Sequence, residues 1–177
     1  MRLRAVCCAA VLGLLISPAL ADITVTMAPA WQEVDISAGS AMVEIYADIP
    51  AEEAIVGFGF DALLDGMSVG APVFTVAAPF LPFVGFDGDG IGGLAMPPLA
   101  VWGSDVLLGT MTFPLLGLGT TVVSFGDDYP DDLTEGFALT GIGEFATVQY
   151  FGGEILVIPE PATLVLLALA GLAFRRR

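Results

Sequence analysis

The sequence predicts an all-β protein: an antiparallel jelly roll or β-sandwich of about eight or nine strands, held between two short apolar end segments. Three observations carry this expectation. Strand-like stretches recur roughly every ten residues, with Gly, Pro and Asp between them. No stripe of apolar residues at helical spacing runs through the interior of the chain. Hydrophobic residues make up 56% of the 177 positions, enough to bury a sizeable core and to set the chain apart from disordered acidic proteins.

The strands follow in order. Ile23 to Met27 alternates. From Ala41 to Ile49 the alternation is clearer, with Ala41, Val43, Ile45, Ala47 and Ile49 on one face and Met42, Glu44, Tyr46 and Asp48 on the other. The stretch 55–64 puts Val56, Phe58, Phe60, Ala62 and Leu64 on one side, opposite Gly57 and Gly59. Shorter runs stand at 73–76 and 83–86. Stronger ones follow at 106–113 and 120–125, then 137–140 and 145–151, and 155–158 continues the last edge. Two sheets are expected to meet across Phe58, Phe60, Leu107 or Leu108, Phe113, Val123, Phe125 and Phe137.

Charge placement excludes several functions. Formal net charge is -15, from 5 basic and 20 acidic residues. The basic residues are Arg2, Arg4, Arg175, Arg176 and Arg177, and every carboxylate except Glu160 lies within 22–157. Such a body repels nucleic acid phosphates and anionic lipid head groups. Its carboxylates must be solvated, hydrogen-bonded or bound to cations, and their mutual repulsion relaxes as salt screens it. With no His or Cys in that segment, His-dependent triads, thiol chemistry and His or Cys zinc sites are excluded. The many carboxylates single out no glycosidase-type pair. The expectation is a protein without enzymatic activity.

Both ends read as addresses. MRLRAVCCAAVLGLLISPALA (1–21) has a charged start at Arg2 and Arg4, an apolar run over 5–16, a break at Ser17-Pro18, and the small-x-small site Ala19-Leu20-Ala21. Signal peptidase is expected to cut after Ala21, leaving Asp22 first. Cys7 and Cys8 leave with the leader, so the exported body depends on packing rather than disulfides. At the other end, Ala162 to Phe174 is an apolar run roughly 20 Å long as a helix, shorter than a usual span. Pro161 opens it, and Arg175, Arg176 and Arg177 keep its end in the cytoplasm as a stop-transfer cluster.

Pro159-Glu160-Pro161, then an apolar helix, then an arginine cluster resembles the PEP-CTERM sorting signal of Gram-negative bacteria. The resemblance covers 158–177 and implies recognition and cleavage by an exosortase, a membrane-embedded protease. It implies a membrane-anchored intermediate followed by release to the outer surface or an exopolysaccharide-rich extracellular matrix. A plain C-terminal membrane anchor is the simpler alternative.

The body carries a second resemblance. Ser37-Ala38-Gly39-Ser40 leading into a long strand, then AIVGFGFDALLD (54–65) and VLLGTMTF (106–113), is similar to cohesin-like domains. The likeness spans most of residues 23–157 and implies a nine-stranded jelly roll. No dockerin repeat is present, so the dockerin partner of true cohesins does not carry over.

Two acidic loops are candidate cation sites. In FDGDGIGGLAMPP (86–98), Asp87 and Asp89 have the spacing of calcium ligands. Set against an EF-hand, Gly92 falls at the required glycine, but Ile91 and Pro98 occupy positions that need a ligand and a Glu. A looser calcium site through Asp87 and Asp89 stays open, beside a plain Asp-Gly turn. GDDYPDDLTEG (126–136) gathers Asp127, Asp128, Asp131, Asp132 and Glu135, which repel one another unless counterions intervene. Trp31, Trp102, Tyr46 and Tyr129 are candidates for stacking on sugar rings, or else core residues. Together these features predict a secreted surface or matrix protein. The alternative is a surface-displayed module that binds carbohydrate or protein, with or without calcium.

Overall fold

The computed structural model describes residues 22–82, 91–96, 98–132, 134–141, 143–160 and Leu166. Alternating polar and apolar residues become thirteen strands among them. These are β1 (Ile23–Ala28), β2 (Trp31–Asp35), β3 (Ser40–Ile49), β4 (Ile55–Gly59), β5 (Asp61–Asp65), β6 (Val73–Val76), β7 (Phe80–Pro82), β8 (Gly92–Ala95), β9 (Gly103–Pro114), β10 (Gly119–Gly126), β11 (Gly136–Leu139), β12 (Val148–Phe151) and β13 (Gly153–Ile158). They form a five-stranded sheet, β12-β1-β3-β9-β6, and two four-stranded sheets, β2-β13-β10-β5 and β11-β4-β8-β7. Their inner faces share one hydrophobic cluster, which makes a β-sandwich.

The long antiparallel pair β3 and β9 is the spine. Its register runs from Ser40 opposite Pro114 to Ile49 opposite Gly103, with bulges after Ile45 and Ala47. Ala41, Val43, Ile45, Ala47 and Ile49 all point inward and are buried, as their spacing predicts. Phe58, Phe60, Leu108, Phe113, Val123, Phe125 and Phe137 are buried as well, and Leu107 is the half-exposed member of its pair. A polar pair is admitted to the interior because it satisfies itself: the Ser68 and Thr121 hydroxyls lie 2.7 Å apart, and the Ser68 amide donates to Thr121 Oγ1.

The stretch 55–64, expected as one strand, is two. β4 pairs with β8 and β11, while β5 pairs with β10 in a different sheet. Phe60 is the corner. It is fully buried, and its ring meets Phe58, Phe74, Phe125 and Tyr150 at centroid distances of 5.6–6.1 Å. The same bending recurs at β1/β2 and β12/β13, where the chain leaves one sheet for another within one or two residues. These corners, together with the unexpected β8, are why the strands outnumber the eight or nine expected.

The first and last strands run together. β1 lies parallel to β12 and β2 lies parallel to β13. The crossing is tight at Gly152, where a Cβ would run into the Val123 carbonyl, and no larger residue fits that approach. β2 and β8 were not expected. The expected strand at 83–86 lies outside the described residues, and β7 stands just before it.

Candidate sorting junction and acidic loop

The end of the body is an interior strand. β13 is hydrogen-bonded antiparallel to β10 and parallel to β2, with Ile155 opposite Thr121 and Gln32, and Val157 opposite Gly119 and Val34. Ile155 and Val157 are buried. The ladder stops at Ile158 because Pro159 has no N–H to donate. Pro159 and Glu160 follow directly and are half-buried, so no linker separates the fold from the corner. Pro161, Arg175, Arg176 and Arg177 lie outside the described residues, as do Ala19 and Ala21. Among the described residues no helix is long and apolar enough to cross a membrane. The apolar run 162–174 falls outside them, apart from Leu166.

The acidic loop between β10 and β11 is tied down by its own carboxylates. Asp132 Oδ1 accepts the Thr134 amide at 2.7 Å and its hydroxyl at 2.6 Å, which holds the Asp132 carboxyl below its ordinary range. Glu135 is buried and accepts the Asp128 amide through Oε2. Asp127 Oδ2 accepts the Tyr150 hydroxyl at 2.6 Å, joining the loop to β12. Among the described residues no group of three carboxylates is placed to hold a metal ion. Asp87 and Asp89 lie outside them.

Burial, then the hydrogen bond to Asp127, pushes the Tyr150 phenol well above its ordinary range. Because the folded-state value is the higher one, this stabilisation is complete at neutral pH and is lost as pH rises past the ordinary phenol range. In an alkaline titration the Tyr150 phenolate signal is therefore expected only as the body unfolds, with absorbance and circular dichroism changing together. Tyr150→Phe is expected to cost about 2 kcal/mol by denaturant unfolding, the worth of a hydrogen bond to a charged acceptor.

The aromatics singled out in the sequence do not share an element. Trp31 and Trp102 are exposed, on β2 and just before β9. Tyr46 lies on the outer face of β3, where its hydroxyl donates to Glu44. Tyr129 stacks on Phe145 with centroids 4.1 Å apart, so one of its faces is already covered.

Residues 157–177 match the PEP-CTERM protein-sorting motif. The match implies export, a membrane-anchored intermediate, and exosortase-dependent sorting to the cell surface. The PEP-CTERM segment begins inside the fold: Val157 and Ile158 belong to the motif and to β13 alike. No curated protein matches the chain. Among solved structures, the chain is similar to the seventh ScaB type I cohesin from Pseudobacteroides cellulosolvens. The identity is 15% over 78% of this chain and 93% of that chain, with a TM-score of 0.47. The sandwich itself is established by the strand pairings above. The sequence reading places a strand at 155–158 directly before the corner but as an edge; β13 is instead an interior strand between β2 and β10.

Proposed function

We propose that the protein is a secreted, non-enzymatic component of the cell surface or extracellular matrix of a Gram-negative bacterium. Signal peptidase releases Asp22 as the first residue, and an exosortase removes the tail near Pro159-Glu160-Pro161. The observation that carries this reading is the PEP-CTERM segment continuing the last core strand without a spacer. A folded body held so close to the corner is delivered as a unit once the tail is cut. Mass spectrometry of both mature termini, with immunolocalisation, tests it. Recovery of the full 177-residue chain from cytosol would overturn it.

A second reading, a binding module for exopolysaccharide or another surface protein, is favoured by one observation. Leu81 and Leu94 face each other across β7 and β8 and are exposed, and exposed Met96, Leu99 and Trp102 follow in the chain. Exposed apolar groups of this kind mark contact surfaces. Retention of the purified protein on the host's own exopolysaccharide, lost in Trp102→Ala, would support it.

Calcium through Asp87 and Asp89 belongs to this second reading. A ligand that binds only the folded form raises the Tm. Millimolar calcium is then expected to raise the Tm more than magnesium, or than sodium at matched ionic strength. Equal gains from all three would assign the effect to screening of an acidic body.

A further inference from the structure

Residues 22–157 hold no Lys, Arg or His, so a buried carboxylate there has no cationic side chain to meet it. Glu53 is the sharpest case. It ends the 3-10 turn Ala51–Glu53, its amide donating to the Pro50 carbonyl at 2.9 Å. The side chain is only 6% exposed, and its Oε2 is buried with no hydrogen-bond partner among the described residues. Burial, then the negative charges of Asp22 and Glu52, pushes the Glu53 carboxyl up. An unpaired carboxylate in such a place is costly, and folded proteins ordinarily give it a partner.

The start of β1 lies near enough for the charge of Asp22 to act on Glu53. The ladder pairs Thr24 with Asp48, so its continuation sets Asp22 opposite Pro50, the residue that leads into the turn. Asp22 and Pro50 line one open cleft of about 230 Å³ together with Asp48, Ile49, Gly103 and Ser104. The Asp22 side chain is turned away to β12, where it accepts the Gln149 amide at 2.6 Å. The next amide, that of Ile23, is fixed on the Thr147 carbonyl at 3.1 Å. The Asp22 nitrogen is thus held at the mouth of an acidic cleft.

We propose that removal of the leader after Ala21 completes a charge-pairing site, in which the new α-ammonium of Asp22 binds the buried Glu53 carboxylate. The proposal rests on the leader cleavage set out under the proposed function. Before cleavage that nitrogen is a neutral amide with at most one proton to donate. Afterwards it is a cation with three donors and the body's own single positive charge. Asp48, Glu52 and the Asp22 side chain, the charged groups around it, are all acidic, so each favours the ammonium. The fold is therefore complete only in the processed chain, and the leader-bearing precursor keeps an orphaned charge inside.

The composition supplies the test. The chain has no lysine, so the mature protein carries one primary amine, and acetylation followed by hydroxylamine, which strips acetyl groups from tyrosine hydroxyls, leaves that atom alone modified. The exported protein is purified, its N-terminus determined by mass spectrometry, and its Tm measured before and after acetylation. At about pH 7, acetylation is expected to lower the Tm of the wild type by several degrees. It should leave the Tm of Glu53→Gln unchanged, while Glu52→Gln behaves as wild type. Labelling of the wild type should run about tenfold slower than labelling of Glu53→Gln, as for an amine whose pKa is raised by one unit. An amine stabilised in its charged form contributes below its unfolded pKa and loses that contribution as pH rises through the folded value. The Tm gap should therefore close by about pH 10, a readout that needs no variant. A protein that starts at Asp22 yet shows no gap, an equal gap in Glu53→Gln, or a gap that persists to high pH overturns the pairing and leaves the export reading standing. A start elsewhere than Asp22 overturns both.

Discussion

Replacing Pro159-Glu160-Pro161 with three alanines leaves export intact and stops removal of the C-terminal segment. The leader is untouched, so transport proceeds as before. What changes is the junction. Pro159 ends the β13 ladder because it has no N–H, and the sequence expectation is that Pro161 opens the apolar run as a helix, whose first turn needs no donor there. Three alanines remove both stops. Alanine is the best helix former, so the apolar run is free to extend back toward the body and the corner is lost. The body itself should be little affected, since β13 stays paired to β2 and β10 and its buried residues, Ile155 and Val157, are unchanged. The expected result is a mature species heavier by the retained tail, with an unfolding midpoint close to that of the wild-type body. Glu160→Gln separates charge from shape: if the backbone corner is what marks the site, this variant is still processed. Normal tail removal from the triple-alanine protein in an exosortase-bearing host would refute the assignment.

The largest stability loss is expected at Phe60. Phe60→Ala removes a fully buried ring that four other rings surround, drawn from all three sheets. The cost of such a truncation is about 4 kcal/mol, the lost transfer energy plus the cavity left behind. For a body of this size that corresponds to a fall in Tm on the order of 12 °C. Phe60 also sits where the chain turns from β4 into β5, so no neighbour can close the gap without moving a strand. Leu63→Ala, on β5 three residues beyond Phe60 and more than half exposed, is the comparison and should change stability by less than about 0.5 kcal/mol. Equal losses at the two positions, read from denaturant midpoints, would mean that Phe60 is not the keystone of the corner.

The sequence disclosed the elements whose two faces differ. β3 was legible in full because its inward residues are all apolar and its outward ones, Met42 apart, carry polar groups, and β9, β10 and β13 followed the same logic. β8 was illegible because Gly92 and Gly93 carry no pattern; Gly93 is in the strand to make room for the ring of Phe58 and the Cβ of Phe80. The break at Phe60 was illegible for a different reason. Side chains go on alternating across the corner while the backbone exchanges one set of partners for another, and partners are not a local property. The parallel pairings of β1 with β12 and β2 with β13 were hidden likewise, because each joins residues more than a hundred positions apart.

The sites divide in the same way. The sorting tail was readable because its three parts are contiguous in the chain. Glu53 was not: nothing in Ala-Glu-Glu after a proline sets the second glutamate apart from the first, yet Glu53 is buried and Glu52 exposed.

The marriage of first strands to last has a consequence for timing. Among the described residues β2 has no ladder partner except β13, and one edge of β1 waits for β12. Contacts so distant along the chain form late. On the proposed export route, a polypeptide emerging leader-first crosses as a thread with its opening strands unsatisfied. The sandwich shuts only when residues 148–158 have come through, which is the moment the greasy tail reaches the bilayer behind them. Arrest of the tail and closure of the globule are one step in time, so the protease meets cargo that has only just become a solid object.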